Sequence, residues 1–219
     1  MGLRNIDFTT SPRLEMARPA ERGGSRRFRT LCFASRLISC KLLPSLFSMP
    51  VSLTNSRVVY DALKKCGIGL VSALPETWLV HLIRMAEDDP QMILVRLAKE
   101  EEGVGISAGA HFAGVRSAML MQNHGFLASV NGIVSFAQLY RIPLLMLISY
   151  RGTFGERDPW QTQGGSVTEP LLQSLGIPYD FLDDPAKVEK RIADAQTLAY
   201  SRLHPVALLL MRDLMWEEA

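Results

Sequence analysis

Pro143-Leu144-Leu145-Met146-Leu147-Ile148-Ser149 is the stretch on which the fold turns. It lacks the polar alternation of a strand that faces water on one side, so it reads as a strand covered on both faces. A bilayer span needs about 20 apolar residues, and the apolar run over 142–150 is far shorter. No membrane association is expected from it.

Helix patterns and short apolar runs alternate on both sides of this strand. Upstream, Thr54 or Asn55 is positioned to cap a helix with Val58, Val59, Ala62 and Leu63 on one face. Gly67 ends it, and residues 68–74 read as a buried strand stopped by Pro75. Thr77 is placed to cap a second helix with Trp78, Leu79, Leu82 and Ile83 inward, followed by a strand over 91–97. A third helix begins near Glu100, a strand covers 117–122, and a helix covers 126–140. Downstream come a polar loop, a short helix from Thr168, a strand over 179–182, a helix over 186–203 and a last strand over 206–211. About six strands alternating with helices make an α/β fold, a three-layer sandwich with a parallel sheet between helix layers.

The 219 residues carry a net charge of +2. Residues 1–48 hold nine basic against three acidic side chains, so the body over 49–219 is net acidic. A nucleic-acid surface is therefore not expected of the body. The Arg- and Ser-rich stretch 1–48 has no sustained periodicity and is expected to be a disordered leader, either transit-like or preceding the true start at Met49. Cys66 is the one cysteine of the body, which fits a reducing, cytoplasmic setting. With no His or Asp beside it, Cys66 reads as a packing residue.

Open parallel sheets place their sites at the carboxyl ends of the strands. Four segments qualify: Leu74-Pro75-Glu76-Thr77, Lys99-Glu100-Glu101-Glu102-Gly103, Gln122-Asn123-His124-Gly125, and the stretch over 150–165. The three glutamates suit a helix start, where carboxylates favour the dipole. The low bulk that follows, through Gly103, Gly105, Ser107, Ala108, Gly109 and Ala110, also suits a buried acid beside a closely packed helix. Glycines cost a helix about 1 kcal/mol each, so close approach is the reason to keep them. His124 is either a general acid–base group or a polar loop residue. His81, His111 and His204 read as structural. Arg151 and Arg157 sit in a charged segment that is either a solvated loop or a flap for an anionic substrate. No His/Cys spacing fits a metal, and no nucleophile elbow, phosphate loop or dinucleotide fingerprint is present.

The run from Glu100 to Gly109, then Met121-Gln122-Asn123-His124-Gly125, Asn131-Gly132, and Tyr140-Arg141-Ile142-Pro143 through Ser149-Tyr150-Arg151-Gly152 resembles the alpha subunits of sulfopyruvate decarboxylases. It is similar too to the matching region of phosphonopyruvate decarboxylases. Both are thiamine diphosphate enzymes, and the resemblance covers about residues 55–212.

The resemblance implies a pyrimidine-binding domain in which Glu100, with Glu101 one residue off in register, pairs with the cofactor's pyrimidine nitrogen and promotes loss of the thiazolium C2 proton. It implies catalytic roles for Glu100 and His124, and cofactor contacts from Glu100, Gln122, Asn123 and Gly125. It implies contacts to a small anionic 2-oxo acid from Pro75, Arg151 and Arg157. Close relatives often read Gln-Asn-Ser-Gly-Leu-Gly-Asn where this chain has Gln122-Asn123-His124-Gly125-Phe126-Leu127-Ala128. The family's Gly-Asp-Gly diphosphate and metal element occurs nowhere in the chain. Thiamine diphosphate with Mg2+ held by a beta subunit, in a hetero-oligomer, is what this implies. Phosphonopyruvate or another 2-oxo acid, carboligation, and a non-catalytic assembly subunit stay open as alternatives.

Overall fold

The computed structural model describes residues 50–217, so the expected leader over 1–48 lies outside the described residues. Six strands form one sheet: β1 (Ile68–Ala73), β2 (Ile93–Arg96), β3 (Arg116–Gln122), β4 (Leu144–Ser149), β5 (Tyr179–Leu182) and β6 (Pro205–Leu210). All pairings are parallel and the order is β2-β1-β3-β4-β6-β5. β4 is buried at every position, as its composition demands. Leu145 and Leu147 enter one apolar cluster, and Leu144, Met146 and Ile148 enter the other.

The first cluster joins the sheet to α1 (Leu53–Lys65), α2 (Val80–Asp88) and α6 (Val188–Arg202). The second joins it to α3 (Glu100–Phe112), α4 (Asn123–Gly132) and α5 (Pro159–Ser174). The result is the expected three-layer α/β sandwich. A short α7 (Arg212–Met215) follows β6, and an antiparallel bridge between Val51 and Trp216 ties the two ends of the described segment together.

Local boundaries differ from the sequence reading where a residue other than the expected one does the capping. Ser52, rather than Thr54 or Asn55, caps α1 by accepting from the Asn55 N–H at 3.1 Å. The Glu76 carboxylate accepts from the Leu79 N–H at 3.2 Å, and α2 opens at Val80, two residues later than a Thr77 cap requires. α4 begins at Asn123 directly after β3, with no loop between them, and continues as a π-helical turn over Ile133–Gln138. The largest difference is α5, expected to start at Thr168. It starts at Asp158-Pro159, with proline in the first turn, and carries Gly164 and Gly165 in its interior.

Candidate functional site

The strand order reverses between β1 and β3, which opens a crevice at their carboxyl ends. The turn after β1, the start of α3, the β3–α4 junction and the segment after β4 belong to this end of the sheet.

Glu100 is the first residue of α3 and is 8% exposed. Among the described residues its carboxylate makes no hydrogen bond. α3 is drawn close to the sheet by Gly103, where a Cβ would lie 2.7 Å from Met119 Cε and 3.0 Å from Ser72 Oγ. The first turn of α4 closes on the same carboxylate, since a Cβ at Gly125 would lie 2.6 Å from Glu100 Oε1. Only glycine leaves Glu100 room there.

The neighbouring acids have other occupations. Glu101 accepts from Lys99 Nζ and, at 3.1 Å, from Asn131 Nδ2, and the Lys99 bond holds its carboxyl below the usual range. Glu102 accepts from the Ala98 N–H at 3.0 Å. Three adjacent carboxylates thus divide into one buried and unpaired acid, one surface ion-pair partner and one helix-start acceptor.

At the β3–α4 junction the residues of 122–124 meet α5 in register. Gln122 Oε1 accepts from Gln161 Nε2 at 3.4 Å. The His124 ring lies against Gly164. Asn123 is fully buried: its Nδ2 donates to Arg151 O at 3.1 Å and Thr168 Oγ1 at 3.0 Å, and its Oδ1 accepts from Arg151 N at 2.8 Å. The Asn123 amide, expected at the cofactor, is taken up within the chain. Its contribution is to hold Gln122 and His124 in place and to pin the segment after β4.

Gln161 was missed by the sequence reading, which took this part of α5 for loop. It is 7% exposed, and its Oε1 has no donor among the described residues. Asp158-Pro159 is the signal that could have found it, because a helix starting there puts Gln161 in a first turn facing the crevice.

Arg151, expected to meet the substrate's acidic tail, is turned inward. Its Nε donates to Glu156 Oε2 at 2.7 Å, and its Nη2 donates to Glu156 Oε1 at 2.9 Å and Asp158 Oδ2 at 2.8 Å. Nη1 lies 3.9 Å from Glu76, and the guanidinium sits 5.0 Å from the Trp78 ring centroid. Its charge is satisfied by three carboxylates of its own chain, so little remains for a ligand. Burial pushes the Glu76 carboxyl above the ordinary range, against the pull of Arg151. Arg157 is the opposite case, exposed and without a side-chain partner among the described residues. Pro75 is exposed in the turn after β1, lining a cleft of about 700 Å³ with Thr77, Val80, Arg84 and Arg96.

Among the described residues no cluster of His, Cys, Asp and Glu is arranged to hold a metal ion, and no helix is long and apolar enough to cross a membrane. Burial raises the Cys66 thiol above its usual value, which agrees with a packing role.

Comparison with known proteins adds a family to this geometry. The family described as "Thiamine pyrophosphate enzyme, N-terminal TPP binding domain" matches residues 53–166. The sulfopyruvate decarboxylase subunit alpha of Methanococcus maripaludis is 36% identical over 162 residues, which cover 74% of this chain and 96% of that one. The sulfopyruvate decarboxylase of Methanosarcina acetivorans is 31% identical over 163 residues, 73% of this chain but 40% of that protein. Benzoylformate decarboxylase from Polynucleobacter necessarius superposes with a TM-score of 0.58 at 16% identity, over 75% of this chain and 31% of the other, and shares the fold.

Proposed function

The chain belongs to the thiamine pyrophosphate enzymes, in the group of sulfopyruvate decarboxylase alpha subunits, and from that premise we propose that it is the pyrimidine-binding half of a decarboxylase of small anionic 2-oxo acids. Sulfopyruvate, converted to sulfoacetaldehyde and carbon dioxide, is the substrate that the relatives' names favour.

The observation that carries the reading is Glu100, a buried residue whose carboxylate makes no hydrogen bond among the described residues and is faced by a glycine, at the switch point of the sheet. The carboxylate has no hydrogen-bond partner of its own chain among the described residues, so a ring nitrogen of a bound cofactor can pair with it without displacing one. Thiamine diphosphate, when bound, is the electron sink for release of carbon dioxide. Glu100 holds a proton at the pyrimidine nitrogen. Gly125 keeps the approach to that carboxylate open, and Gln122 and His124 line the same edge. His124 gives or takes a proton at the reacting carbon's oxygen, and the exposed Arg157 receives the substrate's acidic tail. Pro75 borders the entrance.

The diphosphate and its Mg2+ fall to a partner, a beta subunit in a hetero-oligomer. Two facts support this: the relatives matched over 94–96% of their length are named as alpha subunits, and the 219-residue sequence contains no Gly-Asp-Gly element. A reducing cytoplasmic setting suits the lone body cysteine.

Co-expression with a beta-type chain, followed by a panel of 2-oxo acids with thiamine diphosphate and Mg2+, tests the reading. Release of carbon dioxide from sulfopyruvate by the complex, and not by either chain alone, is the expected result. Full turnover by this chain alone sinks the split site, and a complex inactive on every 2-oxo acid sinks the catalytic reading.

A further inference from the structure

Gly164 has no backbone reason to be glycine. It lies inside α5 with ordinary helical geometry and is not among the residues of positive φ. Glycine within a helix is unfavourable relative to alanine, so its presence calls for a close neighbour. That neighbour is His124. A Cβ at Gly164 would lie 2.9 Å from the ring's Cε1, 3.0 Å from Nε2 and 3.3 Å from Nδ1. Unbonded atoms do not pack so closely, and any side chain at 164 displaces the imidazole.

The contacts on either side are hydrogen bonds, Gln161 with Gln122 and Thr168 with Asn123. They hold α5 and the β3–α4 junction in register, so the helix cannot slide to relieve a clash at 164. His124 itself makes no hydrogen bond among the described residues and is half-buried. Packing on the Gly164 backbone is what places its ring.

We propose that Gly164 is a positioning residue for His124, and that the pair makes the imidazole a determinant of which 2-oxo acid is accepted. This rests on the reading that the segment 122–125 lines the reaction centre. The ring packs its Nδ1–Cε1–Nε2 edge toward Gly164 and neither nitrogen is committed to a hydrogen bond among the described residues, so the absent side chain at 164 sets the depth of the imidazole in the crevice.

The test uses Gly164→Ala, His124→Ser and the double variant, each as the full chain and in the assembled complex. The chain has four histidines, so the His124 ring signals are assigned by comparison with His124→Ser. In Gly164→Ala those signals should move while those of His81, His111 and His204 stay. In the complex, kcat/KM for the preferred acid should fall about 100-fold, the lower end of what one positioned acid–base group contributes, with cofactor affinity unchanged. In the His124→Ser background the same alanine should change kcat/KM less than about twofold, because no ring remains to displace.

Unmoved ring signals in Gly164→Ala overturn the proposal, and so does an alanine equally harmful with and without the ring. If Gly164→Ala alone does not fold, the double variant should fold, since removing the ring restores the space; failure of both overturns the proposal in favour of helix packing. Failure of the functional reading looks different: the wild-type complex then turns over no 2-oxo acid while the ring shift persists.

Discussion

Arg151 grips Glu156 at two points, Nε to Oε2 at 2.7 Å and Nη2 to Oε1 at 2.9 Å, with both side chains over nine-tenths buried. Glu156 in turn accepts backbone N–H bonds from Gly152, Arg157 and Asp158. The pair is the knot of the turn between β4 and α5. Since Asn123 bonds the Arg151 backbone in both directions, the knot also fixes the β3–α4 junction. A fixed turn presents Arg157 from a defined position.

Arg151→Gln removes the cation from beneath two buried carboxylates. Breaking a buried pair from one side costs about 3–5 kcal/mol, and this variant should lose that order of stability in urea unfolding. Arg157→Gln, at an exposed site without a side-chain partner among the described residues, should stay within about 0.5 kcal/mol of the parent. It should instead raise KM for the anionic substrate with kcat little changed. The reverse pattern would return Arg151 to the substrate and make Arg157 a loop residue.

The same knot sets an acid limit. Hydrogen bonding from Arg151 lowers the Glu156 carboxyl to about 2 in the folded chain, against about 4.3 unfolded. A depressed folded value contributes stability that is present above the unfolded value and lost as pH falls toward the folded one. Stability followed by chemical denaturation should decline as pH drops from about 4.3 toward about 2. In Glu156→Gln that part of the decline should vanish. An unchanged acid slope in the variant contradicts the assignment.

Glu76 predicts the opposite sign. Burial raises its carboxyl in the folded chain, so its contribution is most favourable below about 4.3 and is eroded as pH rises through the raised folded value. Glu76→Gln keeps an acceptor for the Leu79 N–H and leaves Arg151 with Glu156 and Asp158. The variant should match the parent near pH 4 and exceed it in urea midpoint near pH 7. A variant weaker than the parent at neutral pH would mean that attraction to Arg151 outweighs burial.

What the residues disclosed and what they hid follow from one distinction. Composition reports burial, and β4 is legible because both its faces are apolar. Glycine is ambiguous, because it serves both turns and close contacts. Gly125 and the pair Gly164-Gly165 read as loop, yet all three sit in helices and face Glu100, His124 and the Arg151–Gly152 backbone. Gly103 read correctly as close packing, since neighbours of low bulk surrounded it. Gln161 and the inward turn of Arg151 were hidden because each depends on partners from distant segments.

Glu100→Gln bears most directly on the chemistry. Glutamine keeps the size of the side chain, and the glycine at 125 still accommodates it, so folding should be unaffected. The variant cannot hold a carboxyl proton at a ring nitrogen. In the assembled complex it should still bind thiamine diphosphate, since the proposal assigns the diphosphate to the partner. Exchange of the cofactor's C2 proton, followed by NMR in deuterated water, should slow about 100-fold or more, the scale of losing one acid–base group. Gly125→Ala should slow it as well, since its Cβ, 2.6 Å from Glu100 Oε1, forces the carboxylate aside. Glu101→Gln and Glu102→Gln lose only a surface ion pair and a helix-start acceptor and should leave exchange within a few-fold of the parent. If Glu101→Gln is instead the crippled variant, the register is off by one and the activating acid is the surface one. Normal exchange in all three glutamine variants would make the run a solvated helix start and remove Glu100 from the mechanism.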